Sequence, residues 1–189
     1  SYIAPSIGRE RLMRDPCIVR GPDGLFHMVW TVSWNDRVIG YANSADLISW
    51  SAQKEIPVMT HERNARNCWA PESFFDEERG EYILFWSTTI TGRFPETAGS
   101  SESGYNHRIY CTTTADFETF TPTRLFLEPG FNCIDGTIVE DNGEYVMFLK
   151  DETLEPPAKN IRMVRSRDPR GPWGGISPPI TGNSWAEGP

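Results

Sequence analysis

One local design recurs along the chain. Arg14-Asp15-Pro16-Cys17-Ile18-Val19 leads into the turn Gly21-Pro22-Asp23-Gly24 and then into Leu25-Phe26-His27-Met28-Val29-Trp30. Pro71-Glu72-Ser73-Phe74-Phe75 leads through a turn from Asp76 to Gly80 into Glu81-Tyr82-Ile83-Leu84-Phe85-Trp86. Asp135-Gly136-Thr137-Ile138-Val139 leads through Asp141-Asn142-Gly143 into Glu144-Tyr145-Val146-Met147-Phe148-Leu149. A fourth copy opens at Trp185-Ala186-Glu187-Gly188-Pro189. Apolar runs bounded by Gly, Pro, Asn and Asp read as strand, tight turn, strand.

The ends of the repeats also match. Asp46 to Trp50, Asp116 to Phe120 and Asp168 to Trp173 each set an Asp four or five residues before an aromatic. An Asp there holds its turn through backbone N–H groups while the aromatic packs beneath, so these three aspartates read as structural. The repeats return at intervals of roughly 50–65 residues, and each holds about four short strands. That is the signature of a β-propeller, with four-stranded blades around a central channel. The blades are expected at residues 14–56, 68–128 and 133–180, with another beginning at 185. The lead-in before Arg14 is expected to lie across the first repeat as a clasp. The stretches 59–67 and 89–106 are expected as loops, the longer one fit for a binding loop.

Aligning the copies on their hairpins puts Asp15, Pro71, Asp135 and Glu187 at one position. Three of the four are carboxylates at the mouth of a strand. If the first strand of each blade starts at one face, the second returns to it, and Trp34, the 89–106 loop and Lys150-Asp151-Glu152 share that rim. Three acids on one rim suit glycoside hydrolysis, which needs a protonated carboxylic acid and a second carboxylate as base or nucleophile. A third acid raises the pKa of the first by like-charge repulsion. A rim of acids equally suits a cation, and a single Asp at a strand start is commonly a turn residue.

Composition narrows the classes. The net charge is −8 and no basic run exists, which argues against nucleic acid and anionic membranes as partners. No apolar run approaches the roughly 20 residues of a membrane-spanning helix. Cys17, Cys68, Cys111 and Cys133 lie in or beside apolar segments and form no C-x-x-C pair. Buried thiols are the expectation, with a Cys68–Cys133 disulfide as the alternative.

Arg14-Asp15-Pro16, Trp69-Ala70-Pro71-Glu72, Ile134-Asp135-Gly136 and Glu187-Gly188-Pro189 resemble the ordered motifs of glycoside hydrolase family 43. The resemblance runs over most of the chain from Arg14 onward. It implies a five-bladed propeller, of which about three blades and the start of a fourth are present. It implies an inverting glycosidase acting on arabinose- or xylose-containing plant-type polysaccharide or oligosaccharide. Asp15 would be the general base, Glu187 the general acid, and Asp135 the group that tunes and holds Glu187. In an inverting enzyme base and acid stand roughly 6.5–9.5 Å apart.

Around these acids, Trp69, Trp34, His107 and Arg14 are the candidate substrate contacts. No cofactor is required for the chemistry. The family's calcium ion would take its ligands from outside this chain, and no metal ligand is named within it. Carbohydrate is the expected partner, with a second chain or a further segment completing the propeller. Degradation of polymeric glycan implies a secreted, periplasmic or cell-surface location, with the cytoplasm left open. The competing reading is a propeller that binds glycan or protein without catalysis.

Overall fold

The computed structural model describes residues 3–183 and 185–189. Among them, eleven strands form three antiparallel sheets. The first sheet holds β1 (Arg14–Arg20), β2 (Phe26–Thr31), β3 (Ile39–Ser44) and β4 (Lys54–Ile56) in that order. The second holds β5 (Trp69–Asp76), β6 (Glu81–Thr89), β7 (His107–Thr114) and β8 (Arg124–Leu127). The third holds β9 (Cys133–Asp141), β10 (Glu144–Asp151) and β11 (Asn160–Ser166).

The turns follow from their residues. Asn142 and Gly143 both sit at positive φ between β9 and β10, which a two-residue hairpin of the primed type requires. The outer edge of the third sheet is irregular. Pro178 and Pro179 have no N–H to donate, so the expected fourth strand does not form a ladder. The segment still follows β11, through Gly174 N–H to the Arg165 carbonyl, Ser177 to Met163 and Ile180 to Ile161, at 2.8, 2.9 and 2.9 Å.

Strand alternation explains why the sheets stack as blades. Tyr82, Leu84 and Trp86 of β6 face the first blade and pack with Val29, Ile39 and Tyr41. Ile83 and Phe85 face the other way, onto Ile138, Met147 and Leu149 of the third blade. Both faces of β6 are therefore buried, and the strand reads as one continuous apolar run. Ion pairs add to the second seam. Arg79 reaches Asp76 at 2.9 Å and Asp168 at 2.7 Å, while Arg170 reaches Glu81 at 2.5 Å.

The lead-in does lie across the first blade. Ile3, Ile7 and Met13 cover Met28, Trp30 and Val32, and Leu12 N–H donates to the Val32 carbonyl at 2.8 Å. Asp46 accepts from Ile48 and Ser49 N–H, Asp116 from Glu118 and Thr119, and Asp168 from Arg170. Trp50, Phe120 and Trp173 pack against the cores nearby. The 89–106 loop is more structured than expected, with 3-10 turns at Pro95–Thr97 and Glu102–Gly104. Buried Arg108 pins it by donating to Thr97 Oγ1 and Asn106 Oδ1 and by lying over the Phe94 ring. All four cysteines are free thiols, and burial pushes each of them up in pKa. Among the described residues no helix is long and apolar enough to cross a membrane.

Candidate active site

Each inner strand carries the same irregularity near its start. Pairing passes from Arg14↔Thr31 to Cys17↔Val29 in the first blade. It passes from Trp69↔Ser87 to Glu72↔Phe85 in the second and from Ile134↔Lys150 to Thr137↔Phe148 in the third. The extra residue puts Asp15, Ala70 and Asp135 in the left-handed region, at φ 48°, 46° and 54°. Such a bulge re-aims a side chain, and Asp adopts this backbone more readily than most residues.

This backbone corrects the alignment of the repeats by one residue. Ala70, not Pro71, is the counterpart of Asp15 and Asp135. Pro71 matches Pro16 and Gly136, and Glu72 matches Cys17 and Thr137, one step deeper in the channel. Glu187 is not an exact counterpart either. In its copy the left-handed residue is Trp185, at φ 59°, so Glu187 arrives by a different backbone route.

Asp15, Asp135 and Glu187 nonetheless line one pocket of about 280 Å³, with Ala70, Glu72 and Thr137 along its wall. Ala186 N–H anchors the approach by donating to the Lys159 carbonyl at 2.9 Å. Gly188 then passes so close to Asp135 that a Cβ there would stand 2.8 Å from the Asp135 Cβ. Only glycine permits that approach. Thr31 Oγ1 donates to Asp15 Oδ2 at 3.3 Å and accepts from Ala70 N–H at 2.9 Å, which joins the first two blades at the pocket.

The three acids differ in environment. Burial pushes the Asp135 carboxyl up to about 6, opposed by Lys150 and reinforced by Asp15, Glu152 and Glu187. Glu187 is 90% exposed at its side chain and accepts from Lys150 Nζ at 2.8 Å. That hydrogen bond lowers its pKa below the usual carboxylate range. Glu72 is raised by burial. In this arrangement burial favours the protonated form of Asp135, and the Lys150 ammonium favours the ionised form of Glu187.

An aromatic wall borders the acids. Trp34 and Trp69 meet edge to face at 5.8 Å, and Trp69 Nε1 donates to the Trp34 carbonyl at 3.0 Å. The Arg14 guanidinium lies 4.4 Å over the Trp34 ring. Trp34, Trp69 and Arg14 line a pocket on the rim together with Asp15, Asp135 and Glu187. His107 sits further back. It is 1% exposed, lies against Trp69 and Tyr105, and borders a separate cavity of about 110 Å³. The Asn132 Oδ1 acceptor, 3.1 Å from Nδ1, places the ring proton on Nδ1. Burial, which outweighs that bond, lowers the His107 pKa to about 3.

Thr31, Lys150 and Tyr105 are neighbours of the pocket that the strand-start motifs do not single out. The first two were findable. Thr31, Ser87 and Lys150 each oppose the residue just before a bulge, so one repeat position supplies them all. Tyr105 lies in the 89–106 loop, which was expected on this rim, but no repeat position marks it out. Among the described residues no group of three or more His, Cys, Asp or Glu side chains is arranged to hold a metal ion.

Stacked blades of four, four and three strands, with acids at the axial ends of the first and third inner strands, define a propeller whose mouth is built for polar chemistry. Residues 2–187 match the family described as "Probable glycosyl hydrolase domain". The chain belongs to that family, a relative of glycoside hydrolase family 43. A curated relative, an alpha-L-arabinofuranosidase of Bifidobacterium longum subsp. longum, is 24% identical over 164 residues, 74% of this chain and 15% of its own length. The crystal structure of alpha-L-arabinofuranosidase from Lactobacillus brevis superposes with a TM-score of 0.66 at 18% identity. It is covered over 52% of its length by 87% of this chain. A thermostable family-43 glycoside hydrolase gives 0.64 at 15% identity, with 87% and 51% covered. The chain thus spans about half of these structures. Its fold is that of their five-bladed propellers, with three blades among the described residues.

Proposed function

We propose that the protein is an inverting glycosidase acting on arabinose- or xylose-containing plant-type glycans. The observation that carries this reading is the meeting of Asp15, Asp135 and Glu187 in one pocket, from three separate parts of the chain. Asp15 is the general base. It takes a proton from a water as that water attacks the anomeric carbon. Glu187 is the general acid. It gives its proton to the leaving oxygen as the glycosidic bond breaks. Asp135, under Gly188 and beside Glu187, orients the acid and keeps a second negative charge near it. Trp69 and Trp34 offer ring faces and edges for sugar C–H groups, and Arg14 stands where a hydroxyl or carboxylate of the glycan would pass. The polymeric nature of such glycans favours export of the protein, and blades beyond the three described would complete the pocket.

The stereochemical course tests this reading. Proton NMR during hydrolysis of an aryl α-L-arabinofuranoside or β-D-xyloside should show the inverted anomer first, before mutarotation. A retained anomer contradicts the base role of Asp15. A folded protein that cleaves neither glycoside contradicts the substrate class.

A further inference from the structure

Lys150 is the more deeply buried of the two lysines that line the rim pocket. It lies near the end of β10, opposite Ile134 of β9 and Ile161 of β11, and is 3% exposed. Its Nζ stands 2.8 Å from Glu187 Oε2 and 3.2 Å from Glu152 Oε2. Glu152 is held in turn by Lys159, whose ammonium also lies 5.4 Å from the Trp185 ring. Four charges of alternating sign therefore run from the pocket into the connection before β11. A buried ammonium without a carboxylate is strongly unfavourable. Here two carboxylates are within its reach, so leaving one does not strand it.

We propose that Lys150 is a positioning residue for Glu187, a two-position clamp. In the empty site it keeps the Glu187 carboxylate ionised and fixed over the pocket. When a glycan enters, the ammonium stays protonated and moves onto Glu152, and exposed Glu187 takes up from bulk water the proton that it later gives to the leaving oxygen. This inference rests on the reading of Glu187 as the acid.

The surroundings single out Lys150. Arg14 and Asp15 face Glu187 from β1, Asp135 from β9, and Glu152 and Lys159 from the connection between β10 and β11. His107 on β7 stands behind Trp69. Among the described residues, the hydrogen bond to Glu187 comes from Lys150. The depressed Glu187 pKa agrees with this, since its first cause is that bond. The arrangement also resolves a conflict in the site. A general acid needs its proton near working pH, yet the contact with Lys150 removes it. An ammonium that can change partners meets both demands.

The test reads the Glu187 carboxyl by carbon-13 NMR titration in the protein and in Lys150→Met, Lys150→Arg and Glu152→Gln. Lys150→Met leaves Glu152 paired to Lys159 and Glu187 in water, while buried Asp135 loses the cation that opposes its raised pKa and should titrate higher. The titration midpoint of Glu187 should rise by about one pH unit or more in Lys150→Met and stay close to the parent in Lys150→Arg. In Glu152→Gln it should fall, because the ammonium then belongs to Glu187 alone. A folded Lys150→Met with an unchanged midpoint overturns the proposal, as does a Glu152→Gln midpoint that does not fall. The alkaline limb of the kcat/KM profile, which reports the free enzyme, should follow the Glu187 midpoint upward in Lys150→Met. A shifted titration with an unmoved limb overturns Glu187 as the acid and leaves the ion pair supported.

Discussion

Thr31 Oγ1 donates a hydrogen bond to Asp15 Oδ2 while accepting one from Ala70 N–H of the next blade. One hydroxyl thus fixes the expected base and ties two inner strands together. Thr31→Val keeps the shape and removes both bonds. Activity on an aryl glycoside should fall about tenfold, the scale of one hydrogen bond of about 1.5 kcal/mol. Thermal unfolding should report a loss of about 1–3 kcal/mol for the stranded Ala70 N–H. Full activity in the variant would remove Thr31 from the site.

Asp135 should trade stability for function. Its folded carboxyl titrates near 6, raised first by burial, against a reference value of 3.8. A raised pKa favours the fold at low pH, and that contribution is lost as pH rises through about 6. At pH 7 the ionised group therefore opposes folding. Asp135→Asn should be more stable at pH 7 by about 1–2 kcal/mol, with the gain vanishing below about pH 4. The same variant should lose activity at least about a hundredfold. Denaturant unfolding at pH 4 and pH 7 checks the first statement. Equal stability of variant and parent at both values contradicts it.

His107 acts in the opposite direction. Its folded pKa lies near 3, lowered first by burial, against a reference value of 6.5. Its neutral form therefore supports the fold above pH 6.5, and that support is lost as pH falls toward 3. The cost is about 1.4 kcal/mol per pH unit across that window. His107→Asn keeps an N–H near the Asn132 oxygen and cannot charge. Its stability should fall less steeply than the parent's between pH 6.5 and 4, whatever the absolute change. An unaltered slope would mean that His107 charges in the folded protein.

The blade core offers a test remote from the pocket. Gly40 of β3 lies opposite Trp30 of β2, and a Cβ there would come 2.2 Å from the indole. Trp30 is fully buried beneath the lead-in and cannot withdraw. Gly40→Ala should destabilise by about 1–3 kcal/mol, read as a lower denaturant midpoint with activity per folded molecule retained. An unchanged midpoint would show that the lead-in yields.

Much of this was legible because blades repeat. The hairpins of β1–β2, β5–β6 and β9–β10 follow their turn residues, and Asp46, Asp116 and Asp168 hold turns as their spacing suggests. The misplacement of Pro71 has a physical origin. The same bulge enters all three inner strands and shifts no copy against another, but the turns after them hold five, four and two residues, so counting back from the hairpin misplaces the second copy. Asp15 and Asp135 tolerate the left-handed position, but Ala70 carries no such mark. Lys150 was expected on the rim with the acids, but its hydrogen bond to Glu187 was not, so the differing environments of Asp135 and Glu187 were hidden. The missing outer strand of the third blade was readable from Pro178 and Pro179, which cannot join a ladder.

The most direct measurement is hydrolysis of 4-nitrophenyl α-L-arabinofuranoside and β-D-xyloside by the protein beside its Glu187→Ala variant. Glu187 is exposed, so the variant should fold like the parent. The account predicts cleavage of one of these glycosides by the parent and a loss of at least about a hundredfold in the variant. A parent that cleaves, matched by a variant that cleaves equally well, would contradict the assignment of the acid and the reading of the pocket built upon it.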